Sequence, residues 1–251
     1  MTTDFDYHQL TILYEDNHLI AAVKPAGVLS QSDGSDSPDM LTSLKKYIKE
    51  KYNKPGDVWL GLVHRLDQPV SGVMVFAKTS KAASRLSEQI RSHQVGKFYL
   101  AAVSGEKIPE SGELMDILTK DRKSGQVSVR SAEIKSAAND KYAVLEFKKL
   151  AVVETDQGMI SLLMIKLGTG RGHQIRVQLA SRGWPILGDA RYGGNLNYIH
   201  KTKDTNGRWH ADLALFSCRL EFNHPVKKDQ IVLTIKPPAE LPWSLFANLH
   251  S

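Results

Sequence analysis

Gly61-Leu62-Val63-His64-Arg65-Leu66-Asp67 is followed at once by the turn-forming pair Gln68-Pro69. An apolar run here ends on a lone carboxylate beside an arginine. The carboxylate falls in the short connection between two expected strands, Val58 to Val63 and Val73 to Ala77. Far downstream, Gly170-Arg171-Gly172-His173-Gln174-Ile175-Arg176 gathers charge a second time. If the two stretches meet in space, Asp67 becomes a buried, paired carboxylate suited to covalent chemistry. Taken alone, it reads as an aspartate capping a turn.

Outward from this stretch, short apolar runs alternate with polar turns. Thr11 to Tyr14 and Leu19 to Val23 read as strands around Glu15-Asp16-Asn17-His18. Lys24-Pro25-Ala26-Gly27 turns the chain, and residues 30–36 form a polar loop. Ser37-Pro38 starts a helix, with the serine as cap and the proline at the first helical position. Met40, Leu41, Leu44 and Ile48 then recur at helical spacing. Thr79 or Ser80 caps a second helix reaching His93, with Ala83, Leu86 and Ile90 as its buried stripe. Lys97 to Val103, Gln126 to Val129, Tyr142 to Leu150 and Met159 to Leu167 fit strands. A short helix after Gly172 stops at Gly183-Trp184-Pro185, and Leu213 to Phe222 and Gln230 to Ile235 return to strand. Strands outnumber helices without interleaving one for one. The pattern predicts an α+β protein with a mixed, mainly antiparallel central sheet and flanking helices. One domain over residues 1–251 is expected, with a weak internal boundary at Gly105–Gly112 between sub-domains sharing a sheet.

With 251 residues, 41% of them hydrophobic, the chain can bury a sizeable core. No apolar run is long enough to cross a bilayer, and Met1-Thr2-Thr3-Asp4-Phe5 lacks a secretory pattern. Cytoplasmic residence and no membrane partner are the expectations. A single cysteine, Cys218, excludes an intramolecular disulfide and a cysteine-based zinc site. Its apolar neighbours make it a buried structural thiol. Lys and Arg number 33 against 27 Asp and Glu, for a net +6, which suits a polyanionic partner.

Arg171, His173, Gln174, Arg176 and Gln178 crowd one helix start, a density that suits phosphate or nucleotide contact. Gly168, Gly170 and Gly172 would let a backbone approach phosphate closely. A surface arginine on a short helix fits Arg176 as well. Neither GxxxxGK[ST] nor GxGxxG is present, so nucleoside-triphosphate and dinucleotide loops are excluded. In Lys97-Phe98-Tyr99-Leu100, strand alternation puts Phe98 and Tyr99 on opposite faces, so one can fill the core while the other meets a base. Arg65 reads as a phosphate contact, and His64 either joins it or hydrogen-bonds backbone. The histidines form no HExxH, and no serine elbow appears. Lys120 to Gly125 is a basic hairpin tip, and His200 and His210 flank a basic loop, Lys201 to Arg208.

These residues resemble the RluA-type family of RNA pseudouridine synthases. Gly61 to Asp67, continuing through Ser71-Gly72, is similar to that family's signature around its catalytic aspartate. Lys24-Pro25-Ala26-Gly27, Lys97-Phe98-Tyr99-Leu100, Gly170 to Leu179, Pro185 to Asp189 with Tyr192-Gly193, and His210-Ala211 with Leu215-Phe216 resemble its other motifs in order. The similarity runs from Ile12 to Pro237. Gly172 departs from it, standing where the family usually has threonine. Many relatives carry a small RNA-binding domain ahead of the catalytic one; with a first strand at Thr11, none is expected here.

The resemblance implies a pseudouridine synthase catalytic fold with a central cleft. It implies isomerisation of uridine in structured ribosomal or transfer RNA by a monomer, without cofactor, metal or DNA. Asp67 would be the essential carboxylate, either attacking ribose C1′ or assisting base departure through a glycal. Burial alone disfavours its charged form and a nearby guanidinium favours it, so an Asp67–Arg176 ion pair is expected. Tyr99 would stack on the extruded base. Arg65, His64, Lys24, Arg171, His173 and Gln174 would contact RNA or the uridine. Two rival classes are a non-catalytic RNA-binding protein, which has no use for Asp67, and a nucleoside or phosphate-ester hydrolase, which needs a second acid or a metal.

Overall fold

A computed structural model of the chain describes residues 6–105, 107–121, 123–130, 140–203 and 209–249. Residues 204–208 of the expected basic loop and Arg122 of the expected hairpin tip lie outside this set. The first elements in chain order are β1 (Ile12–Glu15), β2 (Leu19–Lys24), α1 (Met40–Lys51), β3 (Gly61–Leu62), β4 (Ser71–Ala77) and α2 (Ser80–Arg91). There follow β5 (Gly96–Ser104), β6 (Ser111–Lys120), β7 (Val127–Val129), β8 (Lys141–Thr155), β9 (Gly158–Leu167) and α3 (Gln174–Ala180). The chain closes with β10 (Lys201–Lys203), β11 (Trp209–Ala211), β12 (Leu215–Asn223) and β13 (Gln230–Thr234). The class is α+β with mainly antiparallel sheet and flanking helices, as the pattern predicts.

Two compact units result, Met1–Lys97 with Ser217–Lys236, and Phe98–Phe216 with Pro237–Ser251. The divisions fall inside β5 and β12, so the expected boundary at Gly105–Gly112 lies within the second unit.

In the first unit the strands run β1-β2-β4-β12-β13, with β3 also on β4. The β1–β2, β2–β4, β3–β4 and β12–β13 pairs are antiparallel. Leu19 and Ala21 of β2 and Val73, Val75 and Ala77 of β4 share one face, as period-two residues must. That face packs on Ala82 and Leu86 of α2 together with Leu220, Phe222 and Leu233. Each such Leu or Phe contributes about 1.5–3 kcal/mol on burial. Thr79 caps α2 by accepting from the Ala82 amide at 3.2 Å. The α1 cap is Asp39, which accepts from the Thr42 amide, and not Ser37 as expected. Asp39 is extended there, bridged to Leu29, which donates to the Pro38 carbonyl and accepts from Met40. At Gly72, φ is +127°, and a Cβ would overlap the backbone of Ser217, so only glycine lets β12 come this close. Cys218 is buried, and burial pushes its thiol up to about 11.

The expected strand Val58–Val63 shrinks to Gly61–Leu62. At its C-terminal end the reason is local: His64 Nε2 accepts from the Val75 amide at 3.0 Å, a bond to β4 made by a side chain where a strand would use its backbone.

In the second unit the order is β5-β9-β8-β6-β7, antiparallel throughout. Helix α3 lays Val177 on Leu118, Val127 and Ala143. Strand β6 has no counterpart among the expected strands. Its inward register is Leu114, Asp116 and Leu118. The middle carboxylate is taken by Arg182, at 2.6 and 2.9 Å, and by Gln178 at 2.7 Å. An inward charge and an outward Met115 erase the alternation that would mark the strand.

Candidate active site

Asp67 sits in a loop whose peptides are fastened on both sides. Ser30 Oγ donates to the Leu66 carbonyl at 2.7 Å and accepts from the Leu66 amide at 3.0 Å. On the other side, the Gln68 carbonyl accepts from the Gly27 amide at 3.0 Å and from Lys24 Nζ at 2.9 Å. The Gln68 amide group returns a bond to the Gly27 carbonyl. The Asp67 carbonyl accepts from the Val70 amide, closing the turn that Gln68-Pro69 foretells. Asp67 itself is half-buried.

Lys24 is the anchor of this loop. It is 0% exposed, and its ammonium donates to Pro25, Val28 and Gln68 carbonyls at 2.9, 2.5 and 2.9 Å. Three acceptors match the three N–H groups of a protonated amine. Burial nevertheless pulls it from the ordinary lysine range down to about 7, while the negative charge of Asp67 acts in the opposite direction. The RNA contact expected of Lys24 is corrected accordingly: its amine faces carbonyls, not solvent. His64 is held down to about 4, chiefly by burial and then by the charge of Lys97. A neutral imidazole accepting from Val75 is the backbone-bonding alternative for this residue. Arg65 is exposed.

The second unit carries the remaining candidates. Arg176 is buried on α3 and grips Asp189 with two parallel bonds, Nε to Oδ2 and Nη2 to Oδ1, both 2.7 Å. Its guanidinium lies 5.2 Å from the centre of the Tyr192 ring. The Val127 amide donates to the Tyr192 hydroxyl at 3.4 Å, and the same hydroxyl shares a hydrogen bond with His173 Nδ1, 2.9 Å away. His173 immediately precedes α3, with φ +55°. Gln174 is 2% exposed and bonded through both ends of its amide. Its Oε1 accepts from the Thr169 hydroxyl and the Arg171 amide, and its Nε2 donates to the Val144 carbonyl. It therefore ties the glycine-rich loop to β8, and the expected uridine contact is corrected to an internal one. Arg171 is exposed, with Nε donating to the Tyr142 carbonyl. Tyr99 on β5 is buried, 6% exposed.

Lys24, His64, Arg65 and Asp67 thus lie in one unit, and Tyr99, Arg171, His173, Gln174 and Arg176 in the other. Three residues gain roles here that the motifs did not assign: Ser30, Asp189 and Tyr192. Asp189 had a legible signal, a carboxylate in the apolar run Ile186-Leu187-Gly188-Asp189. Gly188 has φ +78°, and a Cβ there would overlap Ile199 and the Asp212 carbonyl, so the turn presenting Asp189 requires glycine.

A sequence profile described as RNA pseudouridylate synthase matches residues 18–181, a span that holds Asp67, Tyr99 and Arg176. The tRNA pseudouridine synthase C of Haemophilus ducreyi is 32% identical over 252 residues, covering 96% of this chain and 95% of that protein. The ribosomal large subunit pseudouridine synthase D of Pseudomonas aeruginosa is 31% identical over 241 residues, 94% of this chain and 71% of that one. Among solved structures, human RNA pseudouridylate synthase domain containing 4 superimposes with a TM-score of 0.69 at 24% identity. It covers 91% of this chain and 88% of the human chain, and supports the fold. With the profile spanning well over half the chain, this protein belongs to the RNA pseudouridine synthase family.

Proposed function

We propose that this protein isomerises specific uridines to pseudouridine in structured RNA, of the ribosomal or transfer class named for its relatives. The observation that carries this reading is the fastened loop around Asp67. A carboxylate whose flanking peptides are pinned by Ser30, Gly27 and Lys24 is preorganised for chemistry. A binding module gains nothing from such pinning.

The uracil must leave ribose at N1, turn, and rejoin through C5. Extruding the uridine from its stack costs a few kcal/mol, and phosphate contacts from a chain of net charge +6 offset part of that. Asp67 is the essential carboxylate, by attack at C1′ or through the glycal route. Arg176, gripped by Asp189, is the cation that serves the reaction. Tyr99 walls the base, and exposed Arg65 and Arg171 take phosphates. The same reading has the protein act in the cytoplasm as a monomer, without cofactor or metal.

RNA tritiated at uracil C5 tests this. Isomerisation releases the label to water, whereas binding or phosphate-ester hydrolysis does not. Asp67→Asn should lower release on the order of 10⁴-fold, the upper range for a positioned carboxylate, with RNA affinity unchanged. Normal turnover by that variant would sink the assignment. Mapping modified uridines in cellular RNA with and without the protein identifies the substrate class.

A further inference from the structure

Arg176 and Asp189 are both closed to solvent, and their side chains meet edge to edge through two equal bonds. A bidentate fork of this kind fixes the plane of a guanidinium as well as its position. The guanidinium carbon lies over the Tyr192 ring, whose hydroxyl is itself held between His173 and the Val127 amide. Asp189 is just as firmly seated. Its amide donates to the Ile186 carbonyl, its carbonyl accepts from Tyr192 and Gly194, and its Oδ1 accepts from the Tyr192 amide at 3.3 Å. One edge of Arg176 is thus assigned to a carboxylate only 13 residues downstream.

We infer that Asp189 is a positioning residue: by gripping the Nε–Nη2 edge of Arg176 it sets the direction of the guanidinium's opposite edge for the reaction. The inference rests on the reading in which Arg176 serves isomerisation. A pair kept only for folding would behave differently, because its loss would lower stability and leave release by the folded protein unchanged.

A double-mutant cycle separates the two. Wild type, Asp189→Asn, Arg176→Met and the double variant are compared in single-turnover tritium release with enzyme in excess, alongside RNA affinity and thermal melting. Asp189→Asn should slow release about 30-fold or more with RNA affinity within about threefold, and should change it less than about threefold in the Arg176→Met background. Release at the wild-type rate, or an equal loss in both backgrounds, overturns the inference. Should Asp189→Asn fail to fold, Asp189→Glu decides. It keeps the charge but shifts the grip by one methylene, and must slow release while melting near wild type; full activity overturns the inference. Full activity in Arg176→Met instead sinks the underlying reading of Arg176.

Discussion

Around Asp67 the chain is held through its backbone, while around Arg176 it is held through the side chain itself. In the first unit Ser30, Gly27 and Lys24 bind the peptide groups of Leu66 and Gln68. In the second, a buried carboxylate takes hold of the guanidinium directly. The two supports differ in their electrostatics as well. The Lys24 ammonium is surrounded by neutral carbonyls, so burial acts on it strongly and brings its proton within reach of neutral pH. Arg176 meets a full negative charge and cannot lose its proton in any case. One support can therefore be titrated and the other cannot.

Three measurements sharpen or break that contrast. The largest effect belongs to Asp189→Ala, which strands a buried guanidinium. Urea unfolding should show a loss of about 3–5 kcal/mol, and a loss below about 1 kcal/mol would mean that the pair is not the support of α3. Next comes Lys24→Met. Three carbonyls lose their donor, while the cost of burying a charge disappears, so a net loss of about 2 kcal/mol is expected at neutral pH. The pH dependence is the sharper readout. The folded protein releases the Lys24 proton at about 7 and the unfolded chain at 10.5. Between those values the unfolded chain binds more protons, so this group makes stability rise with pH, by at most about 1.4 kcal/mol per unit. Below the folded value both states are protonated and the contribution is flat. Lys24→Met should lack this rise, and parallel stability–pH curves for the two proteins would refute the titratable support. Smallest is Ser30→Ala, which removes one side chain serving both groups of Leu66; about 1–2 kcal/mol is expected, with the pH slope kept.

Much of the first unit is legible from the chain, because its strands alternate and its helices carry stripes on one side. Leu19, Ala21, Val73 and Val75 on one face, and Leu86 with Ile90 on α2, follow period and burial together. The turn at Gln68-Pro69 is equally local. What escaped depends on partners distant in sequence. Lys24 reads as a cation available to solvent until Gln68, 44 residues away, is brought against it. Gln174 reads as a ligand-binding amide until Val144 claims it, 30 residues upstream. Strand β6 hid because Asp116 occupies an inward position, which makes sense only once Arg182 is beside it. Asp189 belonged to a quoted motif, yet no periodicity links it to Arg176, since a glycine-dependent turn makes the connection. Each case is a polar group buried by a long-range partner, where a window of neighbouring residues carries no signal.

The seat of Cys218 has a practical sequel. Its carbonyl accepts from the Ile235 amide on the β13 side, its residue is 5% exposed, and its thiol stays protonated at ordinary pH. A thiol-directed dye can react only when β12 momentarily opens. With a single sulfhydryl in the chain, labelling is a built-in clock for the breathing of that strand.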